Sequence, residues 1–223
     1  MSAFKKFIKV LTHRPWQLWQ HARSVFLFSF CYFFRRLVIG KTIATGPNVR
    51  FQSLANFLTA TEHSRIEIGA HSIIYENARL EAHGHGCITV GASSILGDVR
   101  IVSRSKIHLG ERTLTSWNVF IQDFDPHPTS VALRAQQMEL MTQDFFPHWG
   151  IKKSVSHLNW QPPSEEIWIG NDVWLGAGSV ILKGTRIGSG SVVAAGAIVT
   201  GGNFAERSLI AGNPARFIKE LHP

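Results

Sequence analysis

Between Ile169 and Val199 an aliphatic residue returns at every sixth position: Ile169, Leu175, Ile181, Ile187, Val193 and Val199. Four residues after each of the first five stands a small or β-branched side chain: Val173, Ser179, Thr185, Ser191 and Ala197. A helix repeats its apolar face every 3.6 residues and a strand every second residue, so a period of six fits neither alone. It fits a solenoid that repeats one short strand and one turn, with three such sides closing a triangular coil. The aliphatic residue then points inward and stacks on its copy one coil away. The small residue fits the same narrow interior, and the intervening Gly, Asn, Asp and Ser supply the corners.

The same period starts earlier, at Ile68, Ile74 and Leu80. HGHGC at 83–87 breaks it; it resumes at Val90, Leu96 and Val102, slips by one, and continues at Leu109, Thr115 and Ile121. Residues 41–65 read as an irregular first coil. From 123 to 165 nothing repeats, and Pro126, Pro128, Pro147, Pro162 and Pro163 punctuate the stretch. A loop of that length inside a compact domain is usually functional. LRAQQMELMT within it reads as a short helix. The coils resume at Ile167 and run to about Val199; residues 203–210 read as a crossover, and GNPARFIKEL is predicted to form a short helix after Pro214.

The first 45 residues stand apart. FKKFIKVL places basic and apolar residues at helical spacing, Pro15 suits the first turn of a second helix, and WQLWQHARSVFLFSFCYFFRRL follows. The apolar run from Ser24 to Phe34 is short of the roughly 20 residues a spanning helix needs, and no small-residue cleavage site follows it as in a signal peptide. Two roles fit: a cap on the first coil, or a helix lying in the plane of a membrane with Trp16, Trp19 and the Phe cluster in the interface. The domain plan is therefore 1–45 as a basic amphipathic segment and 46–223 as the solenoid, interrupted by 123–165.

Charge supports this division. The formal net charge of +8 looks like that of a nucleic-acid binder, but its distribution does not. Lys5, Lys6, Lys9, Arg14, Arg23, Arg35, Arg36, Lys41 and Arg50 all precede the first acidic residue, Glu62, and the rest of the chain nearly balances. One basic arm on a neutral body, with no recognition motif, argues against nucleic acid. Cys31 and Cys87 form no framework, CxxC or zinc spacing, which suits a reducing, cytoplasmic setting.

The hexapeptide period resembles that of the hexapeptide-repeat acyltransferases. That resemblance implies an all-β solenoid, a left-handed parallel β-helix, with a coenzyme A thioester as co-substrate and no metal. The handedness comes from the resemblance alone, since right-handed crossovers are the physical default.

The chemistry concentrates in SWNVFIQDFDPHP, residues 116–128. Asp123, Asp125 and His127 alternate along an extended stretch, so their side chains are expected on one face, as a catalytic His with carboxylates in reach; a carboxylate or a backbone carbonyl on its other ring nitrogen would fix the tautomer. A sugar hydroxyl attacks a thioester only when a base with pKa near neutrality takes its proton, and neutral imidazole suits that task. The stretch resembles the SWN…DxDxH segment of the family's sugar O-acetyltransferases, which implies His127 as general base and Trp117 and Asn118 beside the acceptor. The family's pantetheine groove implies contacts at Trp174, Gly176, Ala177, Ala195, Gly196 and Thr200. Arg216 and Lys219, in GNPARFIKE, match positions that meet nucleotide phosphates. The Lys that often follows the threonine is replaced here by Gly201 and Gly202. The resemblance also implies homotrimers, with His127 facing the Trp174 groove of a neighbouring subunit.

The leading expectation is an acetyl-CoA-dependent O-acetyltransferase acting on a capsular, exopolysaccharide or lipid-linked glycan, with residues 1–40 as a possible peripheral membrane contact. An N-acetyltransferase of an amino sugar or nucleotide sugar uses the same scaffold. A carbonic-anhydrase-like zinc enzyme needs three imidazoles around the metal, and His83, His85 and His108 are badly spaced for that. A non-catalytic scaffold is the fourth possibility.

Overall fold

The structure is a computed structural model describing residues 42–52, 57–145 and 157–222. The N-terminal segment through residue 41 lies outside the described residues, and so does the choice between cap and membrane helix. Among the described residues no helix is long and apolar enough to cross a membrane.

The chain winds through seven coils. Coil 1 is β1 (Ile43–Thr45), β2 (Arg50–Phe51) and β3 (Phe57–Ala60); coil 2 is β4 (Arg65–Ile68), β5 (Ile73–Ile74) and β6 (Arg79–Ala82). Coil 3 is β7 (Cys87–Val90), β8 (Ile95–Leu96) and β9 (Val99–Ser103); coil 4 is β10 (Lys106–Leu109), β11 (Leu114–Thr115) and β12 (Val119–Gln122). An excursion carrying α1 (Val131–Phe145) follows. Coil 5 is β13 (Ile167–Ile169), β14 (Trp174–Leu175) and β15 (Val180–Leu182); coil 6 is β16 (Thr185–Ile187), β17 (Val192–Val193) and β18 (Ile198–Val199). Coil 7 is β19 (Gly202–Phe204) and β20 (Ser208–Gly212), and β21 (Ala215–Glu220) turns back along it.

Stacked coils make three sheets, here faces A, B and C. Face A runs β1-β4-β7-β10-β13-β16-β19, face B β2-β5-β8-β11-β14-β17-β20-β21, and face C β3-β6-β9-β12-β15-β18. Every pairing is parallel except β20 with β21. The six aliphatic positions from Ile169 to Val199 are each 0% exposed, and the five small ones are buried with them. Their column is the core. A left-handed backbone conformation recurs at Asp172, Gly178, Gly184, Gly190 and Gly196, one residue per corner, as the hexapeptide spacing requires.

Four expectations change. The first coil expected over residues 41–65 is present, but its described strands are regular: β1, β2 and β3 pair in register with coil 2. Thr45, Phe51 and Leu58 occupy the inward register there, and a polar and an aromatic residue hide the aliphatic period. In coil 3 the stacked residue is Ile101, in register with Leu80 and Ile121, while Val102 sits opposite Glu81 and Gln122. That side of the coil is one residue shorter, so the slip precedes Val102. Residues 203–210 are two sides of a seventh coil rather than a crossover. The C-terminal helix is a strand: β21 pairs antiparallel with β20. The bare edge of face B offers unpaired backbone groups, and satisfying them outweighs the helix propensity of ARFIKEL.

Candidate active site

The excursion between coils 4 and 5 leaves the ladder intact: β10 pairs directly with β13, Ile107 opposite Ile167. Its two ends zip together antiparallel. Glu165 N–H donates to the Asp123 carbonyl at 2.9 Å, Asp125 N–H donates to the Pro163 carbonyl at 2.9 Å, and Phe124 bridges Ser164. The strap therefore leaves the prism at the edge between faces C and A.

Asp123, Asp125 and His127 do not share a face; each goes to a different partner. Asp123 continues the inward stack of β12 and is 0% exposed. Its carboxylate accepts from Ser103 Oγ at 2.6 Å, Arg104 N–H at 2.8 Å and Ser105 N–H at 3.0 Å. Burial pushes its pKa up, and these hydrogen bonds pull it back down. Asp125 pairs with Lys183 Nζ at 3.1 Å, tying the strap to coil 5. His127 is exposed, and its Nδ1 lies 2.8 Å from Gln137 Oε1 on α1. Phe124, between the two aspartates, is buried with the Arg104 guanidinium 5.1 Å above its ring.

Helix α1 is thus the clamp on the strap. Gln137 Nε2 donates to the Pro126 carbonyl at 3.0 Å, and Arg134 Nη1 donates to the carbonyls of Pro128 at 2.9 Å and Thr129 at 3.0 Å. The short helix expected from LRAQQMELMT extends over Val131–Phe145.

A second group of expected residues converges on the edge between faces B and C. Ser116–Asn118, Gly176–Gly178 and Ala194–Gly196 are the corners of coils 4, 5 and 6, stacked one on the next. Gly178 N–H donates to the Trp117 carbonyl and Gly196 N–H to the Ala177 carbonyl, each at 2.8 Å. Trp117 is 70% exposed. Trp174 stands half exposed on face B, its indole N–H donating to Ser116 Oγ at 3.0 Å. A Cβ at Gly176 would lie 2.6 Å from Ala195 N, so glycine is required there by coil stacking. Ala195 and Gly196 are exposed, which leaves backbone within reach of a ligand.

Thr200 does not join that group. It is exposed at the edge between faces C and A, the edge from which the His127 strap also departs. Arg216 and Lys219 are exposed on β21. The strap and the Trp174 corner are separated by face C. Six residues at about 3.3 Å each set a side of up to roughly 20 Å.

Pattern reading missed three residues here. Gln137 lies in a helix ten positions from His127 with no repeat to flag it. Lys183 carries no signal in the repeat, and Ser116 stands in the Trp117 motif without a separate one. The histidines weighed for zinc are engaged separately: His83 lies 3.7 Å from Glu81, His85 stacks on His63 and His108 on Trp168. Among the described residues no cluster of three His, Cys, Asp or Glu could hold a metal.

Residues 166–201 match the family model "Bacterial transferase hexapeptide (six repeats)". That stretch carries the bacterial transferase hexapeptide repeat. No curated protein sequence matches it. Among solved structures, the chain is similar to AntD, an N-acyltransferase from Bacillus cereus in complex with dTDP and 3-hydroxybutyryl-CoA. That likeness has 16% identity, 79% of this chain and 82% of that one covered, and a TM-score of 0.59. A variant of AntD with dTDP-4-amino-4,6-dideoxyglucose and coenzyme A gives 15% identity, 85% and 89% coverage and a TM-score of 0.62. A galactoside acetyltransferase in complex with coenzyme A gives 23% identity, 84% and 70% coverage and a TM-score of 0.51. At these identities the likeness is one of fold.

Proposed function

We propose that the chain is an acyltransferase that moves an acetyl group from acetyl-CoA to a hydroxyl of a sugar or glycan. The observation that supports it most is an exposed imidazole, clamped by α1, on the excursion from a hexapeptide solenoid. His127 takes the proton of the acceptor hydroxyl as its oxygen attacks the thioester carbonyl carbon. The tetrahedral oxyanion collapses, the C–S bond breaks, and the proton passes from the imidazolium to the departing thiolate. Trp117 and Asn118 line the acceptor side. Trp174, Gly176, Ala177, Ala195 and Gly196 hold the pantetheine arm, and Arg216 and Lys219 meet the nucleotide phosphates. Asp125 acts through Lys183 to fix the strap, and Asp123 holds the strap's root.

Because the strap and the Trp174 corner leave the prism at different edges, the reaction centre is completed by a neighbouring subunit of a homotrimer. Transfer to an amine is the second reading, motivated by AntD, whose structures hold a nucleotide sugar with coenzyme A and, separately, dTDP with a coenzyme A thioester. One assay decides between them: acetyl-CoA with a panel of neutral glycans and amino sugars, wild type beside His127→Ala. Release of free thiol dependent on a hydroxyl acceptor, and lost in His127→Ala, is the expected result. Acetylation of amino sugars alone replaces the acceptor class. Unchanged turnover in His127→Ala removes the base.

A further inference from the structure

We propose that Gln137 is the positioning residue for His127, holding its imidazole in the Nδ1–H tautomer and leaving Nε2 as the proton-accepting nitrogen. The proposal rests on His127 being the base, but the hydrogen-bond argument stands by itself. The Pro126 carbonyl can only accept, so the end of the Gln137 amide that faces it at 3.0 Å is the NH2 group. The other end is then the amide oxygen, which can only accept. The ring nitrogen 2.8 Å away is Nδ1, and it must donate. One carbonyl thus fixes an amide, and the amide fixes an imidazole.

The geometry makes this chain of contacts stiff. Proline has no backbone N–H, so the carbonyls of Pro126 and Pro128 are the polar backbone groups the strap can offer on either side of His127. Both are taken by α1: Pro126 by Gln137, Pro128 by Arg134. The two proline rings restrict φ on both sides of the histidine. The orienting group is a neutral amide, while both aspartates of the motif are engaged elsewhere. A neutral acceptor sets ring orientation and tautomer without attaching a compensating charge to the imidazolium.

The test combines a spectroscopic and a kinetic readout. In the full chain labelled with 15N-histidine, two-bond proton–nitrogen spectra report which ring nitrogen carries the proton. Wild type should show neutral His127, assigned by its absence in His127→Ala, as the Nδ1–H form. Gln137→Met keeps the side chain's length and removes both hydrogen bonds, and should shift His127 toward the Nε2–H form. Its kcat should fall about 10- to 100-fold, part of what a general base contributes, with KM for acetyl-CoA within about twofold. Gln136→Met on the exposed face of α1 sets the baseline. Gln137→Glu keeps the acceptor and adds a charge, so it should restore most of kcat at high pH and move the acid limb of the kcat/KM profile to higher pH. A wild-type Nε2–H signal overturns the proposal without any variant. So does Gln137→Met with wild-type kcat while His127→Ala is inactive. If His127→Ala is itself fully active, the base assignment fails, and the wild-type spectrum still decides the tautomer.

Discussion

Replacing Asp123 with alanine separates a structural carboxylate from a catalytic one. Three donors converge on this group: Ser103 Oγ, Arg104 N–H and Ser105 N–H. Hydrogen bonds to a charged group are worth about 1.5–3 kcal/mol each, and orphaned part-buried donors add cost. Against that stands the desolvation of a fully buried charge, which alanine removes and which is the first cause of the raised pKa. The net expectation is a loss of about 3 kcal/mol, or roughly 6–12 °C in Tm for a domain of this size. Thermal melts by circular dichroism measure it, beside turnover at a temperature where both proteins are folded. The pH dependence carries a sign. A carboxyl whose folded pKa is raised contributes its full stability below the unfolded value, about 3.9, and loses it as pH rises through the folded value. The stability gap between wild type and Asp123→Asn should therefore move in favour of wild type as pH falls through that window. An Asp123→Ala protein that melts with wild type yet has lost its turnover would refute the reasoning and return Asp123 to the chemistry.

Gly188→Ala should cost about 2 kcal/mol in a urea titration, because its Cβ would lie 2.4 Å from Glu206 N and push coil 7 away from coil 6; an unchanged midpoint would mean the coils part freely. Trp174→Ala should raise KM for acetyl-CoA by about tenfold with kcat within about threefold, a loss of uniform binding; equal loss in kcat alone would place the indole at the reacting centre instead. His108 has its pKa lowered by burial and then by Lys106. Its stability contribution is present above the unfolded value of about 6.5 and is lost as pH falls through that value toward the folded one. His108→Asn should flatten the fall of the urea midpoint as pH drops below about 6.5, and an unaltered slope would exclude His108 as the cause. Cys87, whose thiol burial pushes up, should alkylate slowly at neutral pH when followed by peptide mass spectrometry; rapid labelling would contradict its burial.

What the sequence made legible follows from where the solenoid imposes its constraint. Inside the column each residue meets a copy of itself, so Ile169, Leu175 and Ile181 had to repeat, and their period could be read directly. The first coil keeps the same register with Thr45, Phe51 and Leu58, residues that do not advertise the period. The C-terminus was misread because its structure is dictated by an edge elsewhere in the chain: ARFIKEL is a strand only because β20 is beside it. Likewise Asp123 looks, in sequence, like the first of three alternating polar residues. Only the fold shows that it lies in line with Ile121 and points into the column.

The candidate site was half legible for the same reason. The Trp117, Trp174 and Ala195 corners lie on the repeat, so their stacking follows from the period. The His127 strap lies off it. Because β10 and β13 pair as though the intervening chain were absent, the ladder neither constrains the excursion nor is disturbed by it. The excursion therefore had to supply its own rigidity. It does so through contacts that obey no period: an antiparallel zip at its root, the Asp125–Lys183 pair to the next coil, and α1 bonding the carbonyls of Pro126 and Pro128. Residues of that kind, Gln137 above all, are invisible to pattern and decisive for chemistry. An imidazole is a usable base only when something fixes which nitrogen holds its proton.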